Sequence, residues 1–597
     1  MPSLPEAVTT ADAFVGALGD AGIEMVFGNL GSDHPGIIEA LAKARERGDR
    51  TPAVVLAPHE AVALAAAHGY ALASGDAAAV LVHVDVGTAN LGGGVHNAAR
   101  GRVPVLLVAG LTPFTMEGEL PGSRNSYPNH LQDVHDQHAI VRPYAKWSYD
   151  LRTGANVRQV THRALQLARS APRGPVYLTA AREVLAAPTD GRRVDPALWQ
   201  PVEPIPAPEK TVREIVDAIA RARFPVIVTS SFGRDPSSVE LLVELAETLG
   251  VGVAQPIADA MGFPADHELH LGYSAGPVLE QADVVVVLDS DVPWMPTIAA
   301  PKPDAAVFLI DADPLKEEIP LWYLESRRFV RADSTVAIGQ LLASARAGTQ
   351  LGDVAGRRGA LAATHRAQRQ GWAAEREGSR LTVPVVAAAV AEAIDEGTIV
   401  LNESVSNAET VFRHLPRNRP GTLFASGGSS LGWFAGAAVG VKLARPDATV
   451  VALAGDGTYF LSSPAAAYWM AHRYDAPFLT VVLDNGGWHA TKRNVLRQYP
   501  DGAAAKTGRY WVDLSQTADL AGVAAAAGGA FAATVTEIDE LAPSLAEGLD
   551  AVKTGRAAVV RVVLDRIAAE PADSLPDGSY CAGRYQSDHS HGGNGAR

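Results

Sequence analysis

Short runs of β-branched and aliphatic residues alternate along the chain with longer Ala/Leu-rich stretches of helical periodicity. Met25–Phe27, Ala53–Leu56, Ala78–Val82 and Val105–Val108 read as strands, with helices such as Ala11–Asp20 and Glu60–Ala73 between them. This rhythm predicts parallel sheets covered by helices on both faces. It closes a first unit near Pro175–Thr179 and gives way over Pro188–Pro208 to a Pro-rich, polar surface linker. A second unit runs from about Thr211 to Ser344, with strands at Pro225–Thr229, Val284–Leu288 and Ala306–Ile310. An Arg-rich helical stretch from Gly356 to Arg380 leads to a third unit, with strands at Thr398–Leu401, Thr449–Ala454 and Phe478–Leu483. The expected fold class is α/β: three doubly wound parallel-sheet domains at 1–185, 205–345 and 375–570, then a flexible, Gly-rich polar tail over 571–597. Units one and three share the same rhythm.

Composition narrows the function classes. With 47% hydrophobic and 20% charged residues, the 597-residue chain is globular rather than disordered. A net charge of −15 argues against binding nucleic acid or anionic membranes. The single cysteine, Cys581, excludes a disulfide framework and any multi-thiolate metal site. Apolar runs are broken well short of the ~18 residues a membrane span needs. The N-terminus has neither a basic start nor an apolar core, so a secretory signal is not expected and the expected location is cytoplasmic.

The most informative segment is Val450–Trp488. An apolar strand, VVALAG, runs into Gly455-Asp456-Gly457-Thr458, which puts a carboxylate at the carboxyl edge of a sheet, where α/β proteins bind ligands. The glycines let backbone N–H groups approach phosphate oxygens. A second strand, FLTVVL, ends in Asp484-Asn485-Gly486-Gly487-Trp488. A helix between the two would bring both strand ends together, so that Asp456 and Asn485 hold one hard cation through oxygen, as Mg²⁺ prefers. Either motif alone is better read as a tight turn; the pair, each closing a strand, is what points to a ligand.

This pattern resembles that of thiamine-diphosphate-dependent enzymes, in the group of benzoylformate decarboxylase and acetolactate synthase. Leu401–Ser406 (LNESVS), Gly427–Trp433 (GGSSLGW), Phe27–Ser32 (FGNLGS), Val82-His83-Val84 and Val141–Tyr149 (VRPYAKWSY) extend the likeness over all three units, most weakly in the central one. The resemblance implies a pyrimidine-binding, a central and a diphosphate-binding domain. It implies Mg²⁺ on Asp456, Asn485 and the Gly487 carbonyl. Cofactor contacts are implied for Ser404, Val405, Ser406, Gly455, Gly457, Thr458 and the backbone around Trp488. Leu431 would wedge between the cofactor's rings, and the Ser429 carbonyl would receive its 4′-amino group. Asp484 stands where Asn is common, Ser429-Ser430 where Gly is common, and Leu30 replaces a usual Pro.

Read locally, Glu60 is as well placed to cap its helix as to do chemistry, because anions are favoured at a helix N-terminus. The resemblance places it against N1′ of the aminopyrimidine, where a carboxyl group promotes the tautomer that deprotonates C2. His83 ends a strand at a spacing that matches a proton-transfer histidine of benzoylformate decarboxylase, although a lone strand histidine is more often core. His59 is a second candidate. Ser32, Tyr459, Trp488 and His489 are candidate pocket residues; the three rings are equally well read as core. Asp133, His135 and His138 read as a solvated loop sooner than as a metal cluster.

No Gly-rich phosphate fingerprint marks the central unit, and the strand-ending Leu309–Pro314 (LIDADP) occurs in relatives with and without a nucleotide, so FAD is not expected. The implied activity is Mg²⁺- and thiamine-diphosphate-dependent decarboxylation of a 2-oxo acid through a C2-carbanion/enamine intermediate. The alternative is an acetolactate synthase-like carboligase, and a remote one is a non-catalytic binding protein on the same scaffold. The resemblance also implies a homodimer or dimer of dimers, with sites at the subunit interface where Glu60 and Asp456 meet.

Overall fold

The computed structural model describes residues 8–190, 192–348, 350–514 and 519–567. Cys581 and the tail expected over 571–597 lie outside them.

Among the described residues, seventeen strands form three parallel sheets. The first holds β1 (Met25–Gly28), β2 (Ala53–Leu56), β3 (Ala78–Val82), β4 (Val105–Leu111), β5 (Trp147–Leu151) and β6 (Val176–Ala181), in the order β2-β1-β3-β4-β6-β5. The second holds β7 (Pro225–Thr229), β8 (Gly252–Ala254), β9 (Val284–Leu288), β10 (Ala306–Asp311) and β11 (Arg328–Arg331), ordered β11-β10-β9-β7-β8. The third holds β12 (Ile399–Glu403), β13 (Leu423–Phe424), β14 (Val450–Gly455), β15 (Leu479–Asp484), β16 (Phe531–Val535) and β17 (Ala558–Val563), ordered β13-β12-β14-β15-β17-β16. Counted from its own first strand, the third sheet repeats the order of the first, and the central sheet follows the same winding without the final strand.

The inner strands are apolar on both faces because helices cover both. β3, β9 and β15 are buried along their whole length. In the linker, residues 192–208 hold a short 3₁₀ turn at Pro196–Trp199 and are otherwise outside helix and strand.

The first and third units meet along two helices, Glu60–Ser74 and Trp433–Ala444, whose Ala and Gly positions let the backbones touch. A Cβ added at Gly440 would lie 1.9 Å from the Ala66 carbonyl oxygen, and one at Gly69 would lie 2.2 Å from that of Ala437. The first and central units are tied differently. Arg102 donates to Asp311 at 2.7 Å and Asp291 at 3.1 Å, and Lys316 bonds the same two carboxylates at 2.6 and 2.7 Å. Two cations thus fill the end of β10 beside the LIDADP segment.

Candidate active site

The winding of the first sheet reverses between β1 and β3, the place where open α/β sheets form ligand crevices. The residues following these strands are Asn29 and His83, and Glu60 starts the helix after β2. Glu60 is 8% exposed, and its two oxygens accept from the side-chain amides of Asn29 (3.1 Å) and Asn90 (2.9 Å). The helix it begins is capped by its neighbour: His59 Nδ1 accepts the Ala61 N–H at 3.1 Å. His59 is therefore a helix cap rather than a free base, and Glu60 is released from that duty.

His83 is outside the core, although both of its ring nitrogens have partners. Its Nδ1 bonds the Asp33 carboxylate at 2.6 Å, its Nε2 meets the Gln132 side-chain amide at 3.2 Å, and its side chain is 21% exposed. The bond to Asp33 raises its pKa above the ordinary imidazole value, against an opposing effect of burial. For Asp33 burial acts upward, but the bonds and charges of His83, His34 and the Val84 N–H hold it below the usual carboxylate range. Ser32 stands exposed beside this pair.

The third sheet reverses between β12 and β14. Asn402 and Glu403, expected in a loop, instead finish β12, and the loop proper begins at Ser404. Ser404 is buried and donates to Asn402 Oδ1 at 2.7 Å. Val405 has a φ of +48°, the left-handed region that a β-branched residue rarely adopts, and its side chain is exposed. Ser406 is half-buried in the short 3₁₀ turn that follows. Glu403 is fully enclosed and accepts the Trp433 and Phe434 N–H groups at 3.2 and 2.8 Å. Burial pushes its pKa up to about 8 even against those bonds.

The Gly427–Leu431 loop is held from the first unit of the same chain. His96 Nε2 meets both the Ser429 hydroxyl (3.0 Å) and its N–H (3.1 Å), while Asn97 bonds the Ser430 N–H and carbonyl. A cavity of about 340 Å³ lies beside this loop, lined by Ser231, Arg234, Asp259, Val405, Ser429 and Leu431.

Pairing of β14 with β15, Gly455 opposite Leu483, makes neighbours of Asp456 and the Asp484-Asn485 pair. Gly455 is not in a tight turn: it precedes a helix over Asp456–Leu461. Asp456 is 3% exposed, and its Oδ2 is buried without a partner. Burial, and then the adjacent Asp484 carboxylate, push its pKa up to about 7. An orphaned carboxylate oxygen beside an amide oxygen, both on rigid strand ends, fits a hard divalent cation with oxygen ligands. No cluster of three or more His, Cys, Asp or Glu capable of holding a metal occurs among the described residues. A cation here would therefore need further ligands, the Gly487 carbonyl and diphosphate oxygens being the expected ones. That carbonyl also accepts the His489 N–H at 2.9 Å.

Asp484, where Asn was common, is bonded twice to Arg561 of β17, at 2.5 and 2.8 Å. The Trp488 ring lies against Gly457, where a Cβ would come within 2.4 Å of it. Gly457 and Thr458 open the short helix after β14, both buried.

Two expectations need correction. Tyr459 is 1% exposed and packs in the core near Phe434 and Tyr468, because the short helix turns that face inward. The Trp488 N–H donates to the Val512 carbonyl at 2.9 Å and is not free for a phosphate. His489 is half-buried, and burial lowers its pKa. Asp133 pairs with Arg124, and His138 bonds Thr179 at 2.9 Å, which accounts for both without a metal.

Reading the sequence missed Asp33, Gln132, Asn29, Asn90 and His96. Asn29 lies inside the FGNLGS segment and Asp33 follows it directly, which is the signal the sequence offered for these two.

Comparison with known proteins gives a consistent picture. Residues 8–140 match the N-terminal TPP binding domain of thiamine pyrophosphate enzymes, 212–321 their central domain and 404–562 their C-terminal TPP binding domain. The chain is 28% identical to a sulfoacetaldehyde acetyltransferase of Rhodobacter capsulatus, over 94% of this chain and 95% of that one. It is 26% identical to a benzoylformate decarboxylase of Pseudomonas aeruginosa, over 79% and 85%. It is 24% identical to an acetolactate synthase large subunit of Lactococcus lactis, over 78% and 79%. A solved Rhodococcus jostii thiamine diphosphate-dependent 4-hydroxybenzoylformate decarboxylase shares the fold at a TM-score of 0.74, with 21% identity, over 94% of this chain and 99% of that one.

Proposed function

The chain belongs to the thiamine pyrophosphate enzymes, and from that premise we propose that it decarboxylates a 2-oxo acid and releases the product by protonation. The single observation that carries this choice is His83, an exposed-edged imidazole held by Asp33 at a strand end, in the same cluster of carboxyl-edge loops as Glu60. Bound thiamine diphosphate supplies the electron sink at its thiazolium ring.

The residues of this chain do the rest. Glu60, clamped by Asn29 and Asn90, holds a proton at N1′ of the aminopyrimidine. Asp456, with its unpartnered Oδ2, Asn485 and the Gly487 carbonyl would hold Mg²⁺. Ser404, Val405, Ser406, Gly455, Gly457 and Thr458 surround the diphosphate. Leu431 and the Ser429 carbonyl, on a loop anchored by His96 and Asn97, would contact the cofactor's rings. His83 delivers the proton that ends the cycle, with Ser32 beside it on the substrate carboxylate and His489 further along the pocket. A second copy of the chain completes each site by setting Glu60 of one protomer against Asp456 of the other, as a dimer or dimer of dimers. No helix among the described residues is long and apolar enough to cross a membrane.

A second reading is transfer of the acyl unit to another carbonyl compound. It is favoured by the near full-length match to a sulfoacetaldehyde acetyltransferase. CO₂ release across a panel of 2-oxo acids, with and without aldehyde acceptors and with sulfoacetaldehyde, separates the two. Free aldehyde supports decarboxylation; acyloin or acetyl transfer in its place supports the second reading.

A further inference from the structure

We propose that Asp33 is a positioning residue for His83: it fixes the imidazole with its proton on Nδ1, so that Nε2 is the atom that takes up and returns a proton, while Gln132 supplies an amide that can face either state. This rests on the proton-transfer role proposed for His83. A carboxylate can only accept, so the 2.6 Å contact places the hydrogen on Nδ1. Asp33 is itself locked: it is 4% exposed, its Oδ2 accepts the Val84 N–H at 3.1 Å, and it sits where Gly31 and Gly110 lack side chains. A Cβ at Gly110 would lie 1.9 Å from Asp33 Oδ2, and one at Gly31 would lie 2.2 Å from His83 Nδ1. Both glycines are spaces kept open for the pair.

Gln132 Nε2 lies 3.2 Å from His83 Nε2 and donates to its lone pair, while Gln132 Oε1 is buried with no partner. One rotation of that amide turns the acceptor toward a protonated Nε2–H. The charged and titratable groups facing His83 are Asp33 and His34 from the loop after β1 and Asp85 from the helix after β3. The two acids favour the imidazolium. His34 Nδ1 accepts the Gly31 N–H at 3.0 Å and lies 3.0 Å from Asp33 Oδ1, and burial lowers its pKa.

The test is histidine ¹⁵N and ¹³C NMR on the full chain stripped of cofactor, with His83 assigned by loss of its signal in His83→Gln. The expected result is the Nδ1–H tautomer at high pH, a midpoint above the ~6.5 of a free imidazole, and a fall of about one pH unit, tenfold in proton affinity, in Asp33→Asn. In the active holoenzyme the same substitution is expected to move the pH limb of kcat with the NMR midpoint and leave thiamine diphosphate affinity unchanged; a merely structural bond would lower stability without moving that limb. An Nε2–H tautomer, a wild-type midpoint at or below 6.5, or a midpoint unmoved in Asp33→Asn overturns the proposal. If Asp33→Asn does not fold, the wild-type tautomer and midpoint decide alone. Because the titration needs no turnover, a chain that passes it yet releases no CO₂ from any 2-oxo acid overturns the proposed function and not the pairing.

Discussion

Asp484 of β15 and Arg561 of β17, offset by two register positions, form a buried, doubly hydrogen-bonded ion pair, one residue before Asn485. The pair supplies the positive charge that lets one acid stand next to another, Asp456, in a nearly dry site. Arg561→Met leaves the buried Asp484 with only the longer, 3.9 Å contact to Arg566 as a charge partner. It is expected to cost about 3–5 kcal/mol, read as a lower urea midpoint with unchanged slope. Asp484→Asn in that background is expected to recover most of the loss; a double variant no better than the single one would show that packing, not charge, is what Arg561 contributes.

Glu60→Gln keeps the shape of the clamp formed with Asn29 and Asn90 but cannot manage the proton. Thiamine diphosphate with Mg²⁺ is expected to raise the melting temperature of the stripped variant as it does that of the wild type, since a ligand at 100 times its Kd adds about 2.7 kcal/mol. Turnover is expected to fall by about 10²–10⁴-fold. Near-normal rates would remove Glu60 from the chemistry, and a wild-type protein with no thermal shift would count against the cofactor site itself.

Glu403 makes the fold pH-dependent in the opposite sense to most carboxylates. Its pKa rises from 4.5 to about 8 on folding, mainly through burial. Between those values the folded chain keeps a proton that the unfolded chain has lost, so this group's contribution to stability falls as pH rises from about 4.5 through 8. Denaturation of wild type and Glu403→Gln at pH 5 and pH 8 checks this. The difference between the two pH values is expected to shrink in the variant, and a difference that stays the same assigns the dependence elsewhere.

Gly440→Val is expected to weaken the join between the first and third units, because the added carbons meet the Ala66 backbone, which cannot swing aside. Overpacking of this kind costs about 1–3 kcal/mol, more where main chain must move. Gly371→Ala, at a helix position with nothing within 4 Å of an added Cβ, is the matched control. Equal melting temperatures for the two variants would contradict the close backbone contact.

Much of this architecture is legible in the residues themselves. Ala53–Leu56, Ala78–Val82, Pro225–Thr229 and Val284–Leu288 have the same bounds as predicted strands and as observed ones. Buried parallel strands leave a continuous apolar run that polar loops cut cleanly. The identical strand order of the outer sheets is not legible, because rhythm records how elements follow one another and not which strands pair. The cap formed by His59 on the Ala61 N–H is also not legible, because a helix N-cap is usually read from Ser, Thr, Asp or Asn. Asp33 and His83 are fifty residues apart and meet only through the pairing of β1 with β3. Tyr459 shows the converse limit, since a short helix gives too few turns to tell its inner face from its outer one.

The glycine-lined seam between the Glu60–Ser74 and Trp433–Ala444 helices leaves no slack for a hinge. With the Gly440 and Gly69 backbones already against carbonyl groups of the facing helix, rotation of one unit on the other would drive main chain into main chain. The outer modules therefore travel as a single block.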